Sequence, residues 1–361
     1  MKIIIISSKG HWMLGWFTSP PELEDAIRVM ENAGIEVAQV EVDNVASLER
    51  TLDAITEDTI VWPNAYFVGA PNDGLTWIGK RIEARGLPFI GSGFQTLKYV
   101  LKKDDCQSKL AEHHLPIPPF MVIKRKDIED IERLIEEKDM TFPVVLKPTG
   151  ESGSIGVCKA DHIGEAIHLA SKILMEFPNS DVILEEFLPS DDITCGFLEM
   201  GGETMLLPTY YMVKNLPGNE NILTRKERLL SWDEVNKTQI NISAPEILNQ
   251  LITNIPKVVK ALGVKGVTRI DGRLDKKGIL RFFDVNGFPA LSFPDSVLVK
   301  QCITCFPHYL PTQVFEGLIH TMLYQVLWQN DLMIPDKIKT HNLFTMESEW
   351  VLKSPYNNLS S

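Results

Sequence analysis

Arg269-Ile270-Asp271-Gly272-Arg273-Leu274, then Asp275-Lys276-Lys277-Gly278, then Ile279-Leu280-Arg281-Phe282-Phe283-Asp284-Val285-Asn286 is the stretch whose reading decides the fold. Its centre, Asp-Lys-Lys-Gly, is a turn signal between two β-rich runs, and it predicts that strand Val267 to Leu274 folds back on strand Ile279 to Asn286. Residues two apart on a strand share a face, so Asp284 goes with Asn286 and Arg269 with Asp271, and cross-strand pairing draws Asp271 towards the other two. Two carboxylates and an amide oxygen are hard ligands suited to Mg²⁺. The alternative is a hairpin decorated with surface acids. Against it, an inward Asp and Asn beside apolar residues need partners, which a metal supplies. The planar guanidinium of Arg269 suits a phosphate or a developing oxyanion, with an ion pair to Asp284 as the structural alternative.

Upstream of the hairpin, Phe142-Pro143-Val144-Val145-Leu146-Lys147-Pro148 is a strand that ends in a lysine. It runs into Thr149-Gly150-Glu151-Ser152-Gly153-Ser154-Ile155-Gly156-Val157, a loop rich in backbone N–H groups and hydroxyls. Loops that cradle phosphates are built this way, although the Walker spacing is absent. A third segment, Val182-Ile183-Leu184-Glu185-Glu186-Phe187-Leu188-Pro189 with Asp191-Asp192, carries an apolar strand to a pair of acids and a turn. That places carboxylates and backbone groups at a domain junction where a nucleotide's adenine and ribose can lie.

The rest of the chain frames these segments. Lys2 to Ile6, Ile35 to Val42 and Thr59 to Trp62 read as short parallel strands separated by helices at Pro21 to Ala33 and Ser47 to Ile55. Ser19 and the prolines open the first helix and Gly34 closes it. A further helix is expected over Leu75 to Ala84, and a strand over Leu87 to Ile90. Beyond Phe94 come a helix through Leu110, a strand at Phe120 to Ile123 and a helix at Ile128 to Glu137. The lysine strand follows, then a helix from Gly164 to Phe177 and a strand at Asp181 to Glu185. Ile193 to Met200 and Thr204 to Val213 read as antiparallel strands, with helices at Pro245 to Leu262 and Gln313 to Trp328. The organisation implied is an N-terminal α/β domain over 1–91, a central lid domain over 92–184 and a C-terminal antiparallel-sheet domain over 185–361, with a tail from about 330.

Composition narrows the function. With 361 residues, 44% of them hydrophobic, the chain has room for two or three cores. A formal charge of −12 disfavours a nucleic-acid binder, which needs clustered Lys and Arg, and favours small-molecule substrates. The apolar opening at Met1 to Ile6 is interrupted by Ser7, Ser8 and Lys9, too early for a signal peptide or a membrane span. The five scattered cysteines fit a reducing cytoplasm, and Cys302-x-x-Cys305 with His308 lacks the ligands of a zinc site.

The three motifs, in this order, resemble the ATP-grasp superfamily and within it the D-alanine–D-alanine ligases, across roughly residues 60 to 300. Gly91-Ser92-Gly93 and Lys103 in Leu101-Lys102-Lys103-Asp104 belong to the same resemblance. It implies a three-domain fold in which Lys103 and Lys147 hold ATP phosphates under the loop Glu151 to Gly156. Glu185, Glu186 and Leu188 would frame the adenine, and Asp192 the ribose. Asp271, Asp284 and Asn286 would bind Mg²⁺, two ions being the family expectation and Mn²⁺ an alternative, with Asp284 standing where most of the family has glutamate. Lys226 is the expected γ-phosphate lysine, with Arg225 and Arg228 as alternatives. Arg269, Lys226, Ser152 and Ser154 would take part in catalysis, and a homodimer is a family expectation.

The activity implied is the joining of a carboxylate to an amine through an acyl-phosphate. The substrate end departs from the family. Ser7-Ser8-Lys9-Gly10-His11-Trp12-Met13-Leu14-Gly15-Trp16 lacks the glutamate that holds the first amino acid's ammonium, and Pro63-Asn64-Ala65-Tyr66 replaces the histidine-glycine pair. Lys226-Glu227 stands for the lysine-tyrosine pair, and Asn286-Gly287-Phe288-Pro289-Ala290 for Asn-Thr-x-Pro-Gly. Gly153 stands at the substrate-linked serine. Trp12, Trp16 and Tyr66 are candidates for an apolar pocket, and His11 for a substrate contact. The expectation is a ligase of diverged specificity, set against a true D-alanine–D-alanine ligase and a nucleotide-binding module without catalysis.

Overall fold

The computed structural model describes residues 1–9, 18–56, 58–69, 74–213, 222–226, 230, 232–233 and 237–355. Its first sheet is parallel, in the order β2-β1-β3, from β1 (Lys2–Ser8), β2 (Glu36–Val42) and β3 (Thr59–Asn64). Ile3, Ile5 and Ile6 of the central strand have no exposed surface, the unbroken apolar run of a strand covered on both faces. The helix α1 (Glu24–Asn32) is entered through a 3₁₀ turn at Pro21–Leu23. There the Ser19 N–H and hydroxyl donate to Glu22 Oε2 at 2.9 and 2.5 Å. Gly34, at φ +82°, supplies the left-handed exit. The next helix, α2 (Val45–Asp53), is capped by the Asn44 side chain on the Ser47 N–H at 2.9 Å.

Two expectations fail before the first junction. β4 (Phe67–Val68) and β5 (Thr76–Trp77) pair as a small hairpin, so the helix α3 (Ile78–Glu83) begins only at Ile78. The run Leu87 to Ile90 contributes a single bridge, Phe89 beside Val61, instead of a strand. Beyond it the anticipated continuous helix is two, α4 (Phe94–Leu101) and α5 (Lys103–Glu112). The break is at Lys102, at φ −97° and ψ +111°, and it lets the Lys103 N–H donate to the Thr149 carbonyl at 3.0 Å. Local propensity favoured one helix; the long-range bond to the phosphate-type loop ends it.

The second sheet is antiparallel, in the order β6-β9-β7-β8, from β6 (Phe120–Ile123), β7 (Val144–Pro148), β8 (Cys158–Ala160) and β9 (Val182–Glu186). The helices α6 (Ile131–Glu137) and α7 (Ile163–Glu176) share its core, with Ile131, Ile135, Ala166 and Ala170 clustering with Val144, Leu146 and Leu184. Alternation along the strands turns Lys147 and Glu185 to the other face. The strand β9 runs on to Glu186, through the expected 184/185 boundary.

The third sheet has the path β12-β11-β10-β13-β14, made of β10 (Asp192–Met200), β11 (Glu203–Val213), β12 (Lys237–Asn241), β13 (Val267–Leu274) and β14 (Leu280–Asn286). A last strand, β15 (Leu352–Pro355), pairs with β11. The helix α8 (Pro245–Leu262) spans the expected residues and ends on Gly263 at φ +69°. The helix α9 (Val297–Cys305) was not anticipated, since Val-Leu-Val-Lys-Gln-Cys-Ile-Thr-Cys is rich in β-branched residues. Burial of Leu298, Val299 and Cys302 decides its conformation over propensity. After it come α10 (Pro311–Gln329) and α11 (Asp336–Thr340). All five cysteines are free thiols, and Cys302 and Cys305 are buried, with desolvation pushing both thiols up. No helix among the described residues is long and apolar enough to cross a membrane.

Candidate active site

The hairpin pairs Asp271 with Asp284 and Arg269 with Asn286. A bulge follows immediately, because Gly272 is opposite Phe282 and leaves Phe283 as an extra residue. The bulge needs that glycine: a Cβ there would stand 2.7 Å from the Arg281 carbonyl oxygen. Bulges re-aim side chains beside active sites, and here Phe283, Asp284 and Asn286 all line one cavity. Asp271 is fully engaged. Its carboxylate accepts from Arg269 Nε and Nη2 at 3.0 and 2.9 Å, from the Thr194 hydroxyl at 2.6 Å and from Asn286 Nδ2 at 3.2 Å. Arg269 therefore pairs with Asp271, not Asp284. Burial works against its charge, but Asp271 outweighs it and holds the guanidinium protonated.

Asp284 is the contrast. Among the described residues its carboxylate makes no hydrogen bond, while its charge acts on Tyr66, Lys103, Cys106, Glu185 and Arg269. Asn286 commits its amide nitrogen to Asp271, which leaves the amide oxygen to accept a hydrogen bond or to ligate a cation. No three His, Cys, Asp or Glu side chains gather as a metal cage among the described residues. A cation here would rest on one open carboxylate, one amide oxygen and an Asp271 shared with Arg269. That donor set fits Mg²⁺, which takes one or two carboxylates and fills its shell with phosphate and water.

The lysine expected to meet phosphate is held in a buried network. Lys147 Nζ donates to Glu185 Oε2 at 2.5 Å, and Gln107 Nε2 donates to Glu185 Oε1 at 2.6 Å. Burial pushes the Glu185 carboxyl up, and Lys147 opposes it. Lys147 also lies 4.7 Å from the centre of the Phe283 ring, so the bulge residue braces the ammonium. Lys103 Nζ donates to the Glu151 carbonyl, and burial pushes this ammonium down, against the pull of Asp284. Two lysines and Asp284 thus converge from three elements that are distant in sequence.

Above them lies the glycine-serine loop. Gly153, Ser154 and Gly156 take φ of +63°, +59° and +68°, so Ser154 holds a left-handed conformation that a non-glycine residue adopts at a cost. The Ser152 hydroxyl is buried with no partner among the described residues, an orphan of the kind a phosphate oxygen would satisfy. A Cβ on Gly153 would meet Arg225 Nη1 at 3.0 Å, so Arg225 reaches the loop. Lys226 is exposed and does not line the cavity.

At the junction, Arg273 Nε donates to Asp192 Oδ1 at 2.5 Å and Arg273 Nη1 to the Leu188 carbonyl at 3.3 Å. Burial pushes the Asp192 carboxyl up and Arg273 opposes it. Glu186 turns one oxygen outward to the Thr141 N–H at 3.0 Å.

The cavity holds about 560 Å³. It is lined by Lys103, Lys147, Glu151, Ser152, Gly153, Ser154, Glu185, Glu186, Leu188, Asp192, Arg269, Asp271, Asp284 and Asn286, all singled out from the sequence. Ala290 and Tyr66 line it as well. Sequence reading missed Phe283, Arg273, Gln107 and Glu22. The last is a carboxylate from the 3₁₀ turn that also reaches the cavity. A bulge signal, Gly272 opposite the double Phe282-Phe283, pointed to the first; nothing local pointed to the others. Gly10, His11, Trp12, Met13, Leu14, Gly15, Trp16, Glu227, Arg228 and the final residues 356–361 lie outside the described residues.

A family model described as D-ala D-ala ligase C-terminus matches residues 110–303. The D-alanine–D-alanine ligase of Fervidobacterium nodosum is 26% identical over 230 residues, covering 58% of this chain and 67% of that protein. The crystal structure of the Bacillus anthracis D-alanine–D-alanine ligase complexed with ATP is similar at a TM-score of 0.62, with 15% identity over 92% of this chain and 99% of that one. The biotin carboxylase domain dimer of Hydrogenobacter thermophilus 2-oxoglutarate carboxylase, in complex with MgADP, reaches a TM-score of 0.61. It has 16% identity, with 89% of this chain and 69% of that one covered.

Proposed function

The chain belongs to the D-ala D-ala ligase C-terminus family and has the ATP-grasp fold, and from that premise we propose that it is an ATP-dependent ligase joining a carboxylate to an amine through an acyl-phosphate. One observation carries the reading: Lys147, Lys103, the Ser152–Ser154 loop and the open carboxylate of Asp284 face a single cavity. Cations and N–H groups for phosphates stand beside oxygen donors for Mg²⁺, the equipment of phosphoryl transfer.

In this reading Lys103 and Lys147 hold the phosphates, and the glycine-serine loop covers them with its N–H groups and the Ser152 and Ser154 hydroxyls. The buried Glu185 holds the Lys147 ammonium in place through their 2.5 Å ion pair. Glu185, Glu186 and Leu188 border the adenine and Asp192 the ribose, with Arg273 fixing Asp192. Asp284, Asn286 and Asp271 would hold Mg²⁺, two ions being the proposed number, and a bound metal would supply positive charge against that which builds up as the γ-phosphoryl group is transferred. A substrate carboxylate attacks the γ-phosphorus and displaces ADP, and an amine then attacks the acyl-phosphate carbonyl, giving up a proton as phosphate departs. Arg269, oriented by Asp271, with the backbone N–H near Ala290, stabilises the tetrahedral oxyanion before phosphate leaves. Arg225 and Lys226 are the candidate γ-phosphate cations, and the approach of Arg225 to Gly153 favours Arg225. The loop excludes water from the acyl-phosphate. The domain division at 91/92 and 184/185, and a homodimer like the dimeric neighbour, belong to the same proposal.

Specificity has diverged from D-alanine on this reading. Tyr66 occupies the expected histidine segment, its phenol held protonated by burial and by Asp284. Glu22 offers a carboxylate for a substrate ammonium. The second reading, a D-alanine–D-alanine ligase, is favoured by the names of the relatives. Phosphate release from ATP, screened over pairs of amino acids and small carboxylates, separates the two. D-alanine alone supports the second, other pairs support the first, and no release with any pair overturns both.

A further inference from the structure

Part of the cavity wall takes no part in the phosphate and metal chemistry. Tyr211 on β11, Trp232, Ile222 and Val297 line it and bring no charge. Tyr211 is buried, pairs across the sheet with Asp192 and lines the same cavity as Arg269. Trp232 meets Tyr211 edge-on, with ring centres 5.6 Å apart at 81°. The indole is fastened to the residue before the N-cap of α9: its Nε1 donates to the Asp295 carbonyl at 2.9 Å. Lys300 lies 5.6 Å from the ring centre and 3.4 Å from the Asp295 carboxylate, so its own charge is already paired.

These attachments decide what the wall can recognise. With its only donor spent on Asp295, the indole has apolar ring surface to offer. One cation already sits at the ring, which argues against a cationic ligand there. What remains is an L-shaped aromatic surface lining the cavity. Such a surface gains from covering by another ring or a branched chain, and a methyl group leaves most of it wet.

We propose that one of the two joined substrates carries a bulky aliphatic or aromatic side chain, which packs on the Tyr211–Trp232 wall. The inference rests on the ligase reading and names the substrate class for it. Trp232 is held by Asp295 and the wall continues through Val297, on the segment that also brings Ala290 to the cavity, so the side chain is assigned to the acyl-transfer end and not to the nucleotide.

The test is phosphate release with ATP over a matrix of alanine, leucine and phenylalanine pairs in both enantiomers, for the full chain and for Trp232→Ala and Trp232→Phe. A pair containing leucine or phenylalanine exceeds the best alanine-only pair by more than about tenfold in kcat/KM. Trp232→Ala removes that preference while the KM for ATP moves less than about twofold, and Trp232→Phe keeps most of it. Alanine-only pairs turning over best would overturn the inference and leave the ligase reading standing. So would a bulky-chain preference that survives Trp232→Ala. No release with any pair would overturn the ligase reading and this inference with it.

Discussion

The two ends of one hairpin treat their aspartates oppositely. At the turn, Asp275 is fully satisfied: Oδ1 accepts from the Lys277 and Ile279 N–H groups at 2.8 and 3.0 Å, and Oδ2 from Arg281 Nε at 2.9 Å. At the cavity end, Asp284 makes no hydrogen bond among the described residues and projects its charge onto five titratable neighbours, Lys103 and Arg269 among them. Local sequence put Asp275 in the Asp-Lys-Lys-Gly turn and Asp284 on a strand face with Asn286, but it did not say which carboxylate would be left unsatisfied. Asp275 is spent on the turn that bears it, whereas Asp284, held in a cavity without a hydrogen bond among the described residues, is available to a ligand.

The largest expected effect breaks the comparison at its functional end. Asp284→Ala lowers phosphate release by about a thousandfold, while its melting temperature stays near that of the parent because no internal bond is lost. Unchanged turnover would make Asp284 a surface acid after all. Next comes the network behind it. Glu185→Ala strands Lys147 as a buried unpaired charge, a change that costs about 3–5 kcal/mol and shows as an early midpoint in urea unfolding. A midpoint equal to the parent's would mean that the Lys147–Glu185 pair is not a buried unit.

Between the two ends sits the bulge. Gly272→Ala drives a Cβ into the Arg281 carbonyl, so stability falls by about 1–3 kcal/mol and the rate drops with it, since Asp284 loses its aim. A full rate in a destabilised protein would show that the bulge has no part in positioning Asp284.

The smallest effect belongs to the turn. Asp275→Ala costs about 1–2 kcal/mol and leaves the KM for ATP unaltered. Its pH dependence has a defined sign. Burial raises the Asp275 carboxyl, but the Ile279 N–H, Arg281 and the Lys277 N–H outweigh it and hold the group below its usual value. A depressed folded pKa contributes stability that is complete above the unfolded value near 3.8 and is lost as pH falls through the folded one. Thermal melts from pH 6 down to about 2 therefore converge for parent and variant at the acid end. Curves that stay parallel throughout would remove Asp275 as the source.

Much of this was legible early because it is written in short-range patterns. Period-two alternation, the Asp-Lys-Lys-Gly turn and a lysine at the end of an apolar strand each act over a few residues, and they located the hairpin, β7 and the loop. The 3.6-residue pattern placed α8 over its full length. Where contacts from elsewhere intervene, the local reading gave way. α9 forms from a β-branched run because its apolar face is buried, and α4 parts from α5 where Lys103 is drawn to Thr149.

The sequence by itself determined the order of the parts, strand-lysine-loop, acid pair and closing hairpin, and with it the family and the class of chemistry. The tertiary structure alone decided the partners. It gave Asp271 to Arg269 and to Thr194, 77 residues away, left Asp284 open, brought Glu22 to the cavity and tied Trp232 to Asp295. The physical reason is range. Alternation and turn chemistry are fixed by neighbours along the chain, whereas the satisfaction of a buried charge depends on register, on one bulged residue and on groups that meet only after the sheets have packed.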